Sequence, residues 1–431
     1  MIFYAENITP RLKYIADFIF TDILGLELEY INDLELILDT KDHIINYSYD
    51  TFDNSFRIVP HSLLDQHIIH EQQIEISKWE DLPIFFQCNE NCDVPFDILA
   101  ASFYLISRYE EYLPHTKDEH GRFEYTESIA HKHGFLKRPL VDEWVLLLGK
   151  KLKNKWPELQ LKKRTFKHLS TIDVDIAWAF KNRPFYRILG ASVRDLINFD
   201  FKNFSLRCKV LFGLTPDPYF TFPYIKEVHE KAGLRPTFFI QIGKHGKFDK
   251  NISLKNKKFR KFLKELSTWA DIGLHPSYAS HDDINKLEKE IQSFKEFLGV
   301  GKIKSRQHFL RVTIPDTYQA LCDFGVSEEY SMGYAGNTGF RAGTCTPHLF
   351  FNLKNNEATN MQIMPFQVME NSMKKYLKYT PDQGRKEIYE LRERVRKVNG
   401  IFVTLWHNQS VNDYLDWKGW RTIFEGMFED R

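Results

Sequence analysis

The sequence predicts an α/β protein in two parts: a smaller mixed α/β domain over residues 1–160 and a larger unit over 165–431 built on a parallel sheet. Three observations carry this. A chain of 431 residues exceeds one ordinary compact domain and suits two. From about residue 165, short apolar runs alternate with helical stretches, the pattern of strand–helix units whose sheet is parallel and either open or closed into a barrel. Ionisable residues recur where those apolar runs end, and in parallel barrels the strand C-termini share one face on which active sites are built.

In the first region, Leu34–Leu38 and Ile84–Phe86 read as strands. Phe96–Tyr112 reads as a largely buried helix with Asp97 as its cap, and Arg108, Glu110 and Glu111 as its solvated end. Leu140–Trp156 reads as a second helix, apolar early and Lys-rich in its last turn, where cations suit the helix dipole. The basic stretch Lys162–Arg164 is the boundary candidate. Strands are then expected at His168–Ile172, Thr237–Ile242, Asp271–Leu274, Gln307–Val312, Gln362–Val368 and Ile401–Trp406. Helices are expected near Tyr224–Ala232, Phe259–Ala270, Ile284–Phe297 and Gln383–Val398, the last followed by Gly400 as a C-cap glycine.

Composition removes several classes of function. Lys and Arg (59) nearly cancel Asp and Glu (58), so no basic excess points to nucleic acid. No run of eighteen apolar residues is present, so no membrane span is expected. The N-terminus lacks the pattern of a secretory signal, which makes a cytoplasmic location the expectation. Five cysteines without regular spacing argue against a disulfide framework, and the close pair Cys88 and Cys92 lacks partners for a zinc site. The Lys- and Arg-rich stretch Lys244–Lys264 reads as a solvated face, or more sharply as an attractor for an anionic carrier on a substrate.

Four groups carry candidate chemistry. Ser170-Thr-Ile-Asp-Val-Asp175 ends a strand with two carboxylates two residues apart, one suited to hold a metal and one to act as a base. Ile272-Gly-Leu-His-Pro276 ends another with His275, and imidazole is the commonest metal ligand type. Ser305-Arg-Gln-His308 supplies Arg306, which if buried needs a carboxylate partner such as Asp173. Phe402-Val-Thr-Leu-Trp-His407 ends the last strand with an imidazole able to protonate a leaving group. Each residue taken singly reads equally well as a helix cap, a surface arginine or a hydrogen-bonded core histidine.

This order of motifs resembles the polysaccharide deacetylase (NodB-homology) superfamily over residues 165–425. The two-part layout is similar to a Bacteroidetes-type group with an uncharacterised N-terminal domain, on the phrases Ser107-Arg-Tyr-Glu-Glu111, Arg306-Gln-His-Phe-Leu310 and Ser331-Met-Gly-Tyr334 through Gly339-Phe-Arg-Ala-Gly343. The resemblance implies a distorted (β/α) barrel, with Asp173 as base, Arg306 orienting it, Asp175 and His275 as metal ligands and His407 as acid. The chain departs from that pattern in three ways. Val174 separates the aspartates, Ala279 stands where a second metal histidine belongs, and Arg306-Gln-His308 replaces the usual arginine motif. His308 is the expected substitute ligand, and His281 reads as a solvated cap. Trp178, Tyr278, Tyr334 and Trp406 lie near the motifs and read first as packing. Tyr278, Trp406, Tyr334 and Arg341 are carried as substrate-binding candidates.

The expected function is therefore a metal-assisted hydrolase removing an acetyl group from an amino sugar or related carbohydrate in glycan biosynthesis. Its expected cofactor is a divalent metal, zinc by preference, and nucleotide- or lipid-linked sugars are among its expected substrates. Two other classes compete: a non-catalytic carbohydrate-binding relative, because of Ala279, and a metal-dependent glycosyltransferase using Asp-x-Asp.

Overall fold

The computed structural model describes residues 1–37, 40–88, 92–413 and 415–429. The first region holds a four-stranded parallel sheet of β1 (Ile2–Ala5), β2 (Glu29–Ile31), β3 (Ile44–Tyr47) and β4 (Ser55–Arg57), in the order β2-β1-β3-β4. A hairpin follows, β5 (Ser77–Trp79) and β6 (Leu82–Ile84). The expected strand Leu34–Leu38 is a turn over 34–37, and Leu38 lies outside the described residues. The expected strand Ile84–Phe86 ends at Ile84, because Phe86 turns to a φ of 60°.

The two predicted helices are present. Ile98–Ile106 is capped by the Asp97 carboxylate, which accepts from the amides of Leu99 and Ala100. Leu140–Lys155 is the second. The first helix stops six residues earlier than the apolar run suggested, because Arg108 adopts a left-handed conformation and a short 3-10 turn, Tyr109–Tyr112, follows. Arg108, Glu110 and Glu111 are not solvated. All three are buried in ion pairs that reach into the second region.

That second region is a nine-stranded, mostly parallel sheet flanked by helices. Its strands are β7 (Lys167–Val174), β8 (Thr237–Gln241), β9 (Asp271–His275), β10 (Ile303–Ser305), β11 (Val326–Glu329), β12 (His348–Asn352), β13 (Glu357–Ile363), β14 (Val368–Met369) and β15 (Ile401–His407). The order is β12-β13-β11-β10-β9-β8-β7-β15-β14, with only β12 antiparallel, on the edge. The chain from β13 to β14 joins the two sides of this sheet. Met364 and Phe366 donate to the carbonyls of Glu329 and Met332, while Gln367 donates to Val403.

Period-two alternation sorts the side chains of these strands. Phe238, Ile240, Phe402 and Trp406 enter the core between sheet and helices. Phe239, Val403 and Leu405 face the other way, into a second cluster with Tyr330 and Phe366. Asp173 sits opposite His407 in the β7–β15 register and shares that inner side.

The expected strand Gln307–Val312 does not form. The strand is β10, three residues long, and a 3-10 turn, His308–Leu310, follows it. Phe309 and Leu310 both carry positive φ, 59° and 56°, which no strand accommodates. Arg306 and His308 thus follow a strand end, as do the other candidate residues. The left-handed residue after helix Pro381–Lys397 is Asn399, not Gly400. Gly400 serves close approach instead, since a Cβ there would lie 2.2 Å from Cys345 Sγ.

Candidate functional site

The inner ends of β7, β9, β10 and β15 bring six predicted residues together. Val174 points into the outer core, so Asp173 and Asp175 both turn to the mouth, which is what the intervening residue achieves. Asp173 is held by Arg306, whose Nη1 donates to its Oδ1 at 2.9 Å while Nη2 donates to Thr171 Oγ1 at 2.8 Å. The guanidinium is fully buried and lies 4.5 Å above the Phe239 ring. Gly273 makes room for that ring, because a Cβ there would stand 2.6 Å from it.

Asp175, His275 and His308 form a group able to hold a metal ion, one ligand atom from each lying within 4.8 Å of the others. His275 Nε2 is 3.3 Å from Asp175 Oδ1, and His308 Nε2 is 3.5 Å from the same oxygen. The second ring nitrogens are engaged behind them. His275 Nδ1 donates to the Arg306 carbonyl at 2.6 Å, and His308 Nδ1 donates to Asp249 Oδ1 at 3.0 Å. This back-support leaves both Nε2 atoms bare toward Asp175, the arrangement that orients metal-ligating histidines. Asp175 Oδ1 and His275 Nε2 are buried without a hydrogen-bond partner, so the site has unsatisfied donor atoms that a cation would satisfy. Burial alone would raise the Asp175 pKa, but His308, His275 and His407 outweigh it and hold the carboxylate far below its usual range. Asp175 keeps a fifth of its side chain exposed, which opens the group to the mouth.

Across the mouth, His407 Nε2 is 3.9 Å from Asp175 Oδ2, and its Nδ1 is 2.7 Å from Glu370 Oε1. Burial opposes the imidazolium, yet Glu370, with Asp175 and Asp173, raises its pKa to about 9. Ser410 also donates to Glu370, fixing that carboxylate.

Two supporting residues escaped the sequence reading. Glu370 follows β14 directly, so a carboxylate at yet another strand end was a usable signal. Asp249 lies in the Lys- and Arg-rich stretch, where nothing marks it. It accepts from Gln241, from His308 and from the amide of Tyr278. Ala279 belongs to the 3-10 turn Tyr278–Ser280, so the turn that lacks the expected histidine steadies the carboxylate behind His308.

Other candidates lie elsewhere. His281 pairs with Asp282 and stays outside the group. Trp406 is fully buried on the outer face against Trp420 and Phe424 and cannot touch a ligand at the mouth. Tyr334 and Arg341 line a depression beside Arg122 and Tyr125, and the Arg341 guanidinium is spent on Glu111. Tyr278 stands at the rim, where Arg311 caps its ring and its hydroxyl meets His120. The first region reaches this rim: Arg122 donates to the Phe309 carbonyl at 2.9 Å, and Arg311 donates to the His120 carbonyl at 2.9 Å.

Residues 1–157 match a family of unknown function, DUF7033. Among curated proteins none matches. A solved structure of a provisionally assigned polysaccharide deacetylase from Mycobacterium smegmatis is similar at a TM-score of 0.39 and 12% identity, covering 62% of this chain and 86% of that one.

Proposed function

We propose that the chain is a hydrolase that removes an acetyl group from an amino sugar or related carbohydrate. The observation that carries this reading is the pairing of a three-ligand group with a separately held acid across one mouth. In this reading the region from about 165 is a distorted (β/α) barrel, with the β13–β14 chain closing it, and residues 1–160 are a domain that shapes the rim. Ligand atoms ~2.0–2.1 Å from zinc at tetrahedral angles lie ~3.4 Å apart. The 3.3 and 3.5 Å separations around Asp175 are of that size, so Asp175, His275 and His308 would hold such an ion. A divalent cation held there supplies Lewis acidity, polarising a carbonyl and easing loss of a proton from water.

The residues of the chain do the rest. Asp173, oriented by Arg306, accepts the proton of the water that attacks the acetyl carbonyl. His407 carries a proton at neutral pH and faces the mouth, so it delivers that proton to the nitrogen as the C–N bond breaks. Acetate and a free amine result. Glu370 keeps His407 charged until then, and Tyr278 is placed to border the sugar.

The test is acetate release from N-acetylated amino-sugar oligomers by the purified chain with Zn2+. His407→Ala and Asp173→Asn should each lower the rate by about 100-fold or more. A chain that retains the oligomers but releases no acetate would instead be a carbohydrate-binding relative.

A further inference from the structure

The two helices over residues 185–211 bury little apolar surface: among their apolar side chains only Val210 is buried. Helix Phe185–Ile197 buries only Asp195 among its thirteen residues. Six of its large apolar side chains form one stripe, with the half-buried Ile188 outside it: Phe185, Tyr186, Leu189, Val193, Leu196 and Ile197 fall within about 120° at 100° per residue, and all six are exposed. The turn adds Phe199, 78% exposed, and helix Phe201–Leu211 continues into Phe212, 80% exposed. Among the described residues, 11 of the 19 large apolar side chains left exposed lie between 185 and 214. Isolated exposed apolar residues are ordinary, but a contiguous face of this kind marks something that covers it.

The hairpin is a built projection. Arg207 of the second helix pairs with the buried Asp195 of the first at 2.5 Å. At its base the Asp217 carboxylate accepts the amides of Ala179, Phe180 and Lys181. Charge says what the stripe meets. Residues 181–214 hold seven Lys and Arg against two Asp, a net charge of +5 in a chain whose total is +1. Beside the stripe, a cavity of about 480 Å3 is lined by Arg183, Arg187, Lys244, His245, Lys250 and Lys255, with no carboxylate among its lining residues. Arg183 Nε is buried there without a partner. Burial, with Arg187, Lys250 and Arg183 close by, pushes the His245 pKa down, as a concentrated positive field requires.

We propose that this hairpin docks on a lipid bilayer bearing anionic headgroups, its stripe sunk into the interface and the neighbouring basic cavity receiving a headgroup phosphate. Aromatic and aliphatic residues on one face with cations beside them are the composition of interfacial helices. Thirteen residues rise ~20 Å as helix and fall short of the ~20 residues a span requires, so the hairpin lies on the membrane and does not cross it. A protein partner would call for acidic surface over the cavity and a flat apolar patch. A headgroup layer over acyl chains matches both features along the whole hairpin. The inference is independent of the chemistry assigned to the mouth.

The test is flotation of the full chain with vesicles of phosphatidylcholine alone and of phosphatidylcholine mixed with phosphatidylglycerol. The chain should float with the mixed vesicles and detach as salt rises. A variant carrying Leu189→Asp, Val193→Asp and Leu196→Asp should bind at least about tenfold more weakly with an unchanged melting curve, since all three positions are exposed. Arg187→Glu with Lys244→Glu should lose roughly tenfold or more on the mixed vesicles only. Failure of the wild-type chain to float, or equal binding by the triple Asp variant, overturns the proposal. So does a wild-type dimer in sedimentation velocity that the triple variant dissolves while neither binds vesicles, which assigns the stripe to a second copy.

Discussion

Replacing Glu111 by Gln should cost the fold about 3 kcal/mol, and the structure says why. Glu111 Oε1 accepts from Arg108 Nε at 2.8 Å and Arg341 Nε at 2.9 Å, while Oε2 accepts from Arg341 Nη2 at 2.6 Å. All three residues are buried, and Arg108 also donates to the Arg341 carbonyl and pairs with Glu110. An amide in place of the carboxylate turns one acceptor into a donor facing a guanidinium and removes the charge that two cations share. Removing one partner of a buried ion pair typically costs ~3–5 kcal/mol. Proton linkage gives a similar size. Burial raises the Glu111 pKa, but Arg341 and Arg108 outweigh it and bring it to about 2 from an ordinary 4.5. That gap corresponds to ~3 kcal/mol. Because the folded pKa is depressed, this stability is present above pH ~4.5 and disappears as pH falls toward ~2. Urea unfolding followed by circular dichroism at pH 7 reads the loss. Pairing Glu111→Gln with Arg341→Met should cost less than the two single changes added together, since the stranded cation is gone. A loss under about 1 kcal/mol for Glu111→Gln, or additivity in the double variant, refutes the reasoning.

Two further outcomes follow from burial. Gly273→Ala places a Cβ 2.6 Å from the Phe239 ring and 3.0 Å from the Lys304 carbonyl, so thermal melts should show about 1–3 kcal/mol of overpacking, with weakened activity because Arg306 rests on that ring. His229 and His348 are both pushed by burial to a pKa of about 4 from 6.5, so the fold favours their neutral forms. The unfolded chain takes up those protons first, so the contribution of these two histidines should be flat above pH ~6.5 and fall by up to ~3 kcal/mol per histidine down to ~4. Replacing both by Gln should flatten that slope, and an unchanged slope contradicts it.

The alternation of short apolar-rich runs with helical stretches made the parallel sheet legible, and β7, β8, β9 and β15 stand within two residues of their expected bounds. The Gln307–Val312 run misled for a physical reason. Its apolar residues pack around a turn with two positive-φ residues, held from outside by Arg122, while the strand is the short Ile303–Ser305 before it. Asp175 and His275 were legible as strand-end residues, whereas His308 was read at the start of an expected strand and named as the substitute for the histidine missing at Ala279 through its place beside Arg306. Asp249 was not legible, since a carboxylate acting through another residue has no motif. Trp406 failed as a ligand contact through the period of a strand: the neighbour of an inward His407 must point outward. The buried state of Arg108, Glu110 and Glu111 depends on Arg341, more than two hundred residues away, and no local pattern announces it.

Equilibrium dialysis of the purified chain against Zn2+, with metal content measured afterwards, asks whether Asp175, His275 and His308 hold a metal ion. About one ion should bind per chain, lost in His275→Ala, reduced at least ~10-fold in affinity in His308→Ala, and kept in His281→Ala. Wild-type chain that holds no ion, or His308→Ala chain that holds it as tightly as wild type, contradicts that assignment.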